Sequence, residues 1–247
     1  MHTVLGIDLG TQSLKVVFYD YKAREVVASA SAPLEVTRDT AGRAEQEASW
    51  WLVALKQALR QVSERVRMSA RAVAVSGQQH GFVPIDDNGE VLHAVKLWCD
   101  TSTQEEADEI MEACGGRERC IELAGNPVLA GYTAPKIRWL RKHHPRKYGS
   151  MVRVLLPHDY LNFVMTGRAV MECGDASGTA LLDVRNRRWS RELLRAVEPS
   201  RDLADCLPEL VEPGEVIGHV ADLFSQEFGL PAGIPVAPGG GDNMMAA

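Results

Sequence analysis

The apolar positions of this chain begin with a strand period and then switch to a helical one. Thr3 to Asp8, Leu14 to Asp20 and Glu25 to Ala32 are apolar runs parted by Gly10-Thr11-Gln12 and by Tyr21-Lys22-Ala23. That pattern predicts an antiparallel β-meander. Glu47 to Arg67 then carries Trp50, Trp51, Ala54, Leu55, Ala58, Leu59 and Val62 at helical spacing, with Ser49 as a candidate N-cap. Ala72 to Ser76, Phe82 to Ile85 and Val91 to Trp98 read as strands, the last two joined by the turn Asp86-Asp87-Asn88-Gly89. Thr103 to Cys114 is amphipathic and predicts a surface helix. Thr133 to His143 predicts another, with Pro135 in its first turn, where a missing N–H costs little. Val152 to Leu156 reads as a buried strand, Pro157 to Thr166 as a helix closed by Gly167, Trp189 to Ala196 as a helix, and Pro231 to Val236 as a strand running into three glycines. Intermixed strands and helices give an α/β or mixed α+β class.

Composition narrows the function little but excludes some classes. Of 247 residues, 45% are hydrophobic and 24% charged, as in ordinary globular domains. A formal charge of −6 argues against a nucleic-acid partner, which would want a basic face. No apolar run approaches the roughly 20 residues of a membrane helix, and the start lacks the basic and apolar regions of a signal peptide. The expected partners therefore include no nucleic acid and no membrane. The five cysteines are odd in number and form no Cys-x-x-Cys pair, so they read as reduced thiols of a cytoplasmic protein.

Five segments could carry chemistry. In Asp8-Leu9-Gly10-Thr11-Gln12-Ser13-Leu14-Lys15, a glycine turn can bring backbone N–H groups to a phosphate. The Thr11 and Ser13 hydroxyls and the Lys15 ammonium can add donors, and Asp8 can orient a magnesium ion or its waters. An ordinary β-turn explains the same residues. Gly77-Gln78-Gln79-His80-Gly81 has the composition of a loop that meets a polyhydroxylated ligand, although a lone His80 is more often structural. Asp100, in Leu97-Trp98-Cys99-Asp100, can accept sugar hydroxyls or cap the helix that follows. Gly174 to Thr179 reads as a tight turn with side-chain-to-backbone bonds. Gly239-Gly240-Gly241-Asp242-Asn243 lets backbone approach closely, and Asp242 beyond it can serve as a base or as a cap. The chain ends just past this turn, where a helix should begin, so the expectation is an internal boundary of a longer protein.

Together and in this order, these segments resemble the amino-terminal half of the FGGY-family carbohydrate kinases, with the xylulose kinases the most similar branch. The matching motifs are Asp8 to Lys15, Gly77 to Gly81, Leu97 to Asp100, Thr133 to Lys136, Leu155 to Leu161, Asp175 to Thr179 and Gly239 to Asn243. The resemblance implies an actin-like (ribonuclease H-like) fold with a mixed sheet and flanking helices. It makes residues 1–247 the sugar-side domain and 239–247 the start of a carboxy-terminal nucleotide-binding domain that is absent. It implies ATP and Mg2+ as cofactors and D-xylulose as the substrate. Asp242 would take the proton from the ketose terminal hydroxyl, and Asp8 would act through magnesium. Gln79, His80, Asn243 and, with less weight, Asp100 would contact the sugar, while Gly10, Thr11, Gln12, Ser13 and Lys15 would face the phosphates of ATP. Gln79 stands where bacterial xylulose kinases often have methionine, which leaves the sugar open among xylulose, ribulose, glycerol and gluconate. The other expectations kept open are a non-catalytic sugar-binding half-kinase, an actin-like ATPase without sugar, and a homodimer formed through the face that should meet the second half.

Overall fold

The structure, a computed structural model, describes residues 2–246. Its centre is a mixed seven-stranded sheet. The meander forms as its alternation predicts. Strand β1 (Thr3–Leu9) pairs antiparallel with β2 (Ser13–Asp20), which pairs antiparallel with β3 (Glu25–Pro33). In β2 the residues Leu14, Val16 and Phe18 are fully buried while Ser13 and Lys15 face out, the period-2 signature of a sheet with one covered face. The other edge of β1 pairs in parallel with the strand Ala70–Gly77. That strand is flanked in parallel by Pro235–Val236 and, at its carboxyl end, by Gly240–Gly241.

Two helices cover one face of this sheet. Helix α1 (Ala48–Arg60) lays Trp51, Ala54, Leu55, Ala58 and Leu59 against β2 and β3. The helix Pro157–Thr166 packs under Ala70–Gly77, and Tyr160 meets Trp51 edge-on at 6.1 Å between ring centroids. The register explains the shared core, because Leu5, Ile7 and Leu9 lie beside Val73, Val75 and Gly77 on the covered face. Asp8 and Ser76 point to the opposite face. A second core is mostly helical. It joins Ile110, Cys120, Ile137, Leu140, Leu193 and Val197 from the helices Gln104–Ala113, Arg117–Ala124, Thr133–His143 and Arg191–Val197.

Several elements differ from expectation for local reasons. The first long helix stops at Arg60 and resumes as a single turn, Glu64–Arg67. Ser63 between them has an extended backbone, as befits a residue that favours helix starts over helix interiors. The expected strand Val91 to Trp98 shrinks to Val95–Lys96. The Asp86 turn returns the chain for one bridge between Ile85 and Val91, and the chain then crosses to pair with Ala44–Gln46. Pro231 to Val236 contributes only Pro235–Val236, because Gly233 turns the backbone to a positive φ of 72°. The helices Arg117–Ala124, Pro145–Ser150 and Asp222–Phe228 had no predicted counterpart. Thr133–His143 and Pro157–Thr166 have the predicted bounds, and Gly167 closes the latter at φ 74°.

Leu55 is fully buried between α1 and the meander. Leu55→Ala should cost about 2–5 kcal/mol, read as a lowered urea midpoint with an unchanged denaturant slope; no loss would mean that α1 is not part of the cooperative core.

Candidate active site

Three backbones meet at the carboxyl end of Ala70–Gly77. Leu9 lies beside Gly77, and Gly77 beside Gly241; one step back, Asp8, Ser76 and Gly240 form the same row. Only glycine permits this approach. Gly239 has φ 68°, and a Cβ there would overlap the Val75 carbonyl. Asn162 holds the entry to the turn, donating from Nδ2 to the Pro238 carbonyl at 2.7 Å. The chain then opens the helix Asp242–Met245, so Asp242 stands at the mouth of the sheet, facing the end of β1.

Asp242, Asn243, Gln79, His80 and Trp98 line a cavity of about 200 Å³. Asn243 Nδ2 donates to Gln79 Oε1 at 3.1 Å, and the Gln79 side chain lies across Gly241, where a Cβ would collide with it. His80 sits in the left-handed region at φ 60°, a conformation uncommon for a non-glycine residue. Its ring packs on Tyr132 at 4.8 Å and fills the space left by the missing side chain of Gly178. Burial pulls the imidazole down to about 4, against the attraction of Asp175 and with help from the Lys136 charge. A neutral imidazole has one donor and one acceptor nitrogen, which suits a hydroxyl that does both. The Asp242 carboxyl is raised above its ordinary value by burial, while the Asn243 N–H opposes and the charges of Asp175 and Asp8 add to the rise.

The phosphate-type turn is tied to the same cavity. The Thr11 hydroxyl donates to Gln78 Oε1 at 3.1 Å and accepts from the Trp98 indole at 3.0 Å. Gln46 bonds the Thr11 carbonyl and accepts from both Gln78 and the buried Trp51 indole. Gly10 closes the turn through its N–H to the Ser13 carbonyl at 3.0 Å. The Gly10 N–H and the Thr11 hydroxyl are thus spent on holding the turn. Asp8, Gln12, Ser13 and Lys15 remain exposed at its surface.

Asp100 is not brought to the cavity. It is 0% exposed, and its oxygens accept from the Ala44 N–H, the Ser102 N–H and hydroxyl, and the Lys96 ammonium. With its capacity used inside the protein, it has no place as a sugar ligand. It does not cap the helix either, since the N-cap position of Gln104–Ala113 is Thr103. The hydroxyls of Ser177 and Thr179 also bond backbone locally, as a turn requires.

Sequence reasoning missed the charged group behind the glycine turn. His158 is fully buried with its ring nitrogens 3.0 Å from Asp159 and 3.0 Å from Asp175. The attraction of Asp159 leads these contacts, with hydrogen bonding to both carboxylates and the charge of Asp175 adding to it. Burial opposes the imidazolium, but the two carboxylates prevail and raise it to about 10. His158 presses on Gly77, and Asp175 on Gly241. The motif Leu155 to Leu161 contained His158 and Asp159, but nothing in it linked them to Asp175.

The N-terminal domain of the FGGY family of carbohydrate kinases matches residues 3–247. The xylulose kinase of Haemophilus influenzae is 38% identical over 98% of this chain and 51% of its own length. That of Streptomyces rubiginosus is 39% identical over 99% of this chain and 49% of its own. The chain thus spans about half the length of the curated relatives it matches. Among solved structures, a xyloylose kinase from Brucella ovis superposes with a TM-score of 0.88 at 33% identity, covering 98% of this chain and 49% of that one. The xylulose kinase of Rhodospirillum rubrum gives 0.90 at 25% identity, covering 98% and 50%.

A histidine raised from an ordinary value near 6.5 to about 10 stabilises the fold fully below the lower value, and that stabilisation is lost as pH rises through the upper one. His158→Gln should therefore be less stable than the parent at pH 6, with the gap narrowing towards pH 10, as measured by urea midpoints across that range. A gap that stays flat across that range would show that folding leaves this imidazole unshifted, and one that widens with pH would show it held neutral in the native state.

Proposed function

The chain belongs to the FGGY family of carbohydrate kinases, and from that we propose that the protein transfers the γ-phosphoryl group of ATP to the terminal hydroxyl of D-xylulose, giving xylulose 5-phosphate in the cytoplasm. In this reading residues 1–247 are the sugar-side half, and the Gly239–Asn243 turn leads towards the nucleotide-binding half. The relatives named as xylulose kinases support the substrate. The observation that carries the reading is the cavity where one carboxylate of raised basicity, Asp242, shares a wall with Gln79, His80, Trp98 and Asn243.

The division of labour follows from these positions. The Asn243 and Gln79 amides and the neutral His80 imidazole pair with sugar hydroxyls. Asp242 accepts the proton of the terminal hydroxyl as its oxygen closes on phosphorus. Proton removal is a minor part of phosphoryl transfer, where positioning and charge neutralisation dominate. Ser13 and Lys15, exposed at the start of β2, supply donors to the phosphoryl oxygens.

Asp8 is the residue that fits magnesium. Its carboxylate is exposed, and no group of three or more His, Cys, Asp or Glu side chains forms a metal cage among the described residues. That donor set suits an ion carried on nucleotide phosphates, which keeps its waters and takes one or two carboxylates. When bound, the ion neutralises charge on the transferred group; Asp8 holds and orients it.

In the full-length protein, Asp242→Asn should lower kcat by about 10²–10⁴-fold with the sugar KM little changed, measured as ADP release on xylulose. Unchanged turnover would remove Asp242 from the chemistry. In the parent, activity should fall with acid at a pH above the ordinary carboxylate range, because the Asp242 carboxyl is raised. A panel of xylulose, ribulose, glycerol and gluconate tests the substrate, and preference for another polyol would keep the kinase while replacing xylulose.

A further inference from the structure

The Thr133-Ala-Pro-Lys motif has no part in the function described so far, yet it contains a costly group. Lys136 is 0% exposed, and no carboxylate lies within ion-pair distance of it among the described residues. It sits in the first turn of the helix Thr133–His143, where the helix dipole disfavours a cation. Its ammonium donates to two backbone carbonyls instead, His80 at 2.8 Å and Gly131 at 2.7 Å. Burial depresses it to about 7, with Asp100 opposing and Lys96 adding to the depression. A buried cation paired only with carbonyls does little for the stability of the fold, since a well-packed apolar side chain would serve there at least as well.

One carbonyl belongs to a residue that lines the cavity, His80, and the other to the segment packed behind a second lining residue, Trp98. His80 carries the left-handed turn of the Gly77–Gly81 loop. Gly131 is pressed so closely on the Trp98 carbonyl that a Cβ would overlap it, and the ring of the next residue, Tyr132, packs at a tilt against the His80 ring. Thr133, also buried, adds a hydroxyl to the same His80 carbonyl at 3.2 Å. We propose that Lys136 is a positioning residue of the sugar site, clamping the strained backbone at His80 to the Gly131 segment so that the imidazole, Gln79 and Trp98 are held in register for the substrate. The assignment rests on the kinase reading above.

The test compares Lys136→Met with the parent in the full-length protein, measuring KM for xylulose, KM for ATP and kcat. Loss of charge-assisted bonds should raise the sugar KM about 10–100-fold, while the ATP KM and kcat change by less than about threefold. An unchanged sugar KM, or a parallel loss in all three, would overturn the proposal. If Lys136→Met does not fold, Thr133→Val decides. It removes the weaker bond to the same carbonyl and should raise the sugar KM about 2–10-fold with the ATP KM unmoved; no rise overturns the clamp. A parent protein inert towards every sugar would overturn the kinase reading and the clamp with it, whereas an active parent with an indifferent Lys136→Met overturns the clamp alone.

Discussion

The candidate site depends on one backbone contact. Gly240 and Gly241 lie against Ser76 and Gly77, and Gly239 reaches that pairing only through a left-handed turn beside the Val75 carbonyl. No side chain can be accommodated at Gly239, and any at Gly241 would displace Gln79. The contact delivers Asp242 to the row that ends β1 and so sets two carboxylates, from residues far apart in sequence, at one edge. Burial, and after it the charges of Asp175 and Asp8, raise the Asp242 carboxyl. Geometry comes first here, and the electrostatics follow from it.

The surroundings divide between neutral and charged supports. Gln46, Gln78, Thr11, Trp51 and Trp98 form a relay of neutral hydrogen bonds across three loops. Its members are fully engaged, the condition under which a buried polar network is stabilising. Nearby, Lys96 is paired with Glu45 and Asp100 and lies 4.0 Å from the Trp139 ring. Such a group is costly to bury and costlier to break. It explains why an aspartate that sequence alone offers to a ligand is structural.

Local chemistry was legible where one segment contained the whole cause. The meander, the helices Thr133–His143 and Pro157–Thr166, and the glycine turn each announce themselves by period, proline or glycine. The polar residues Gln79, His80, Asp242 and Asn243 were visible as residues, and the structure draws them into one cavity. What sequence could not give was long-range partnership. Asp100 looked like a ligand because the Ala44 N–H, 56 residues away, reaches it only through tertiary structure. His158 stood unremarked inside a predicted helix because Asp175 comes from another element. Short strands such as Val95–Lys96 need a neighbour to exist at all, so period alone overstated their length.

The cavity side chains are braced from behind by absent ones. The His80 ring occupies the volume beside Gly178, and Gln79 the volume above Gly241. Each pair is a fixed sum of sizes. A bulkier residue at 178 or 241 must be met by a smaller or redirected one at 80 or 79. A larger side chain at 241 can therefore be admitted only together with a change at 79.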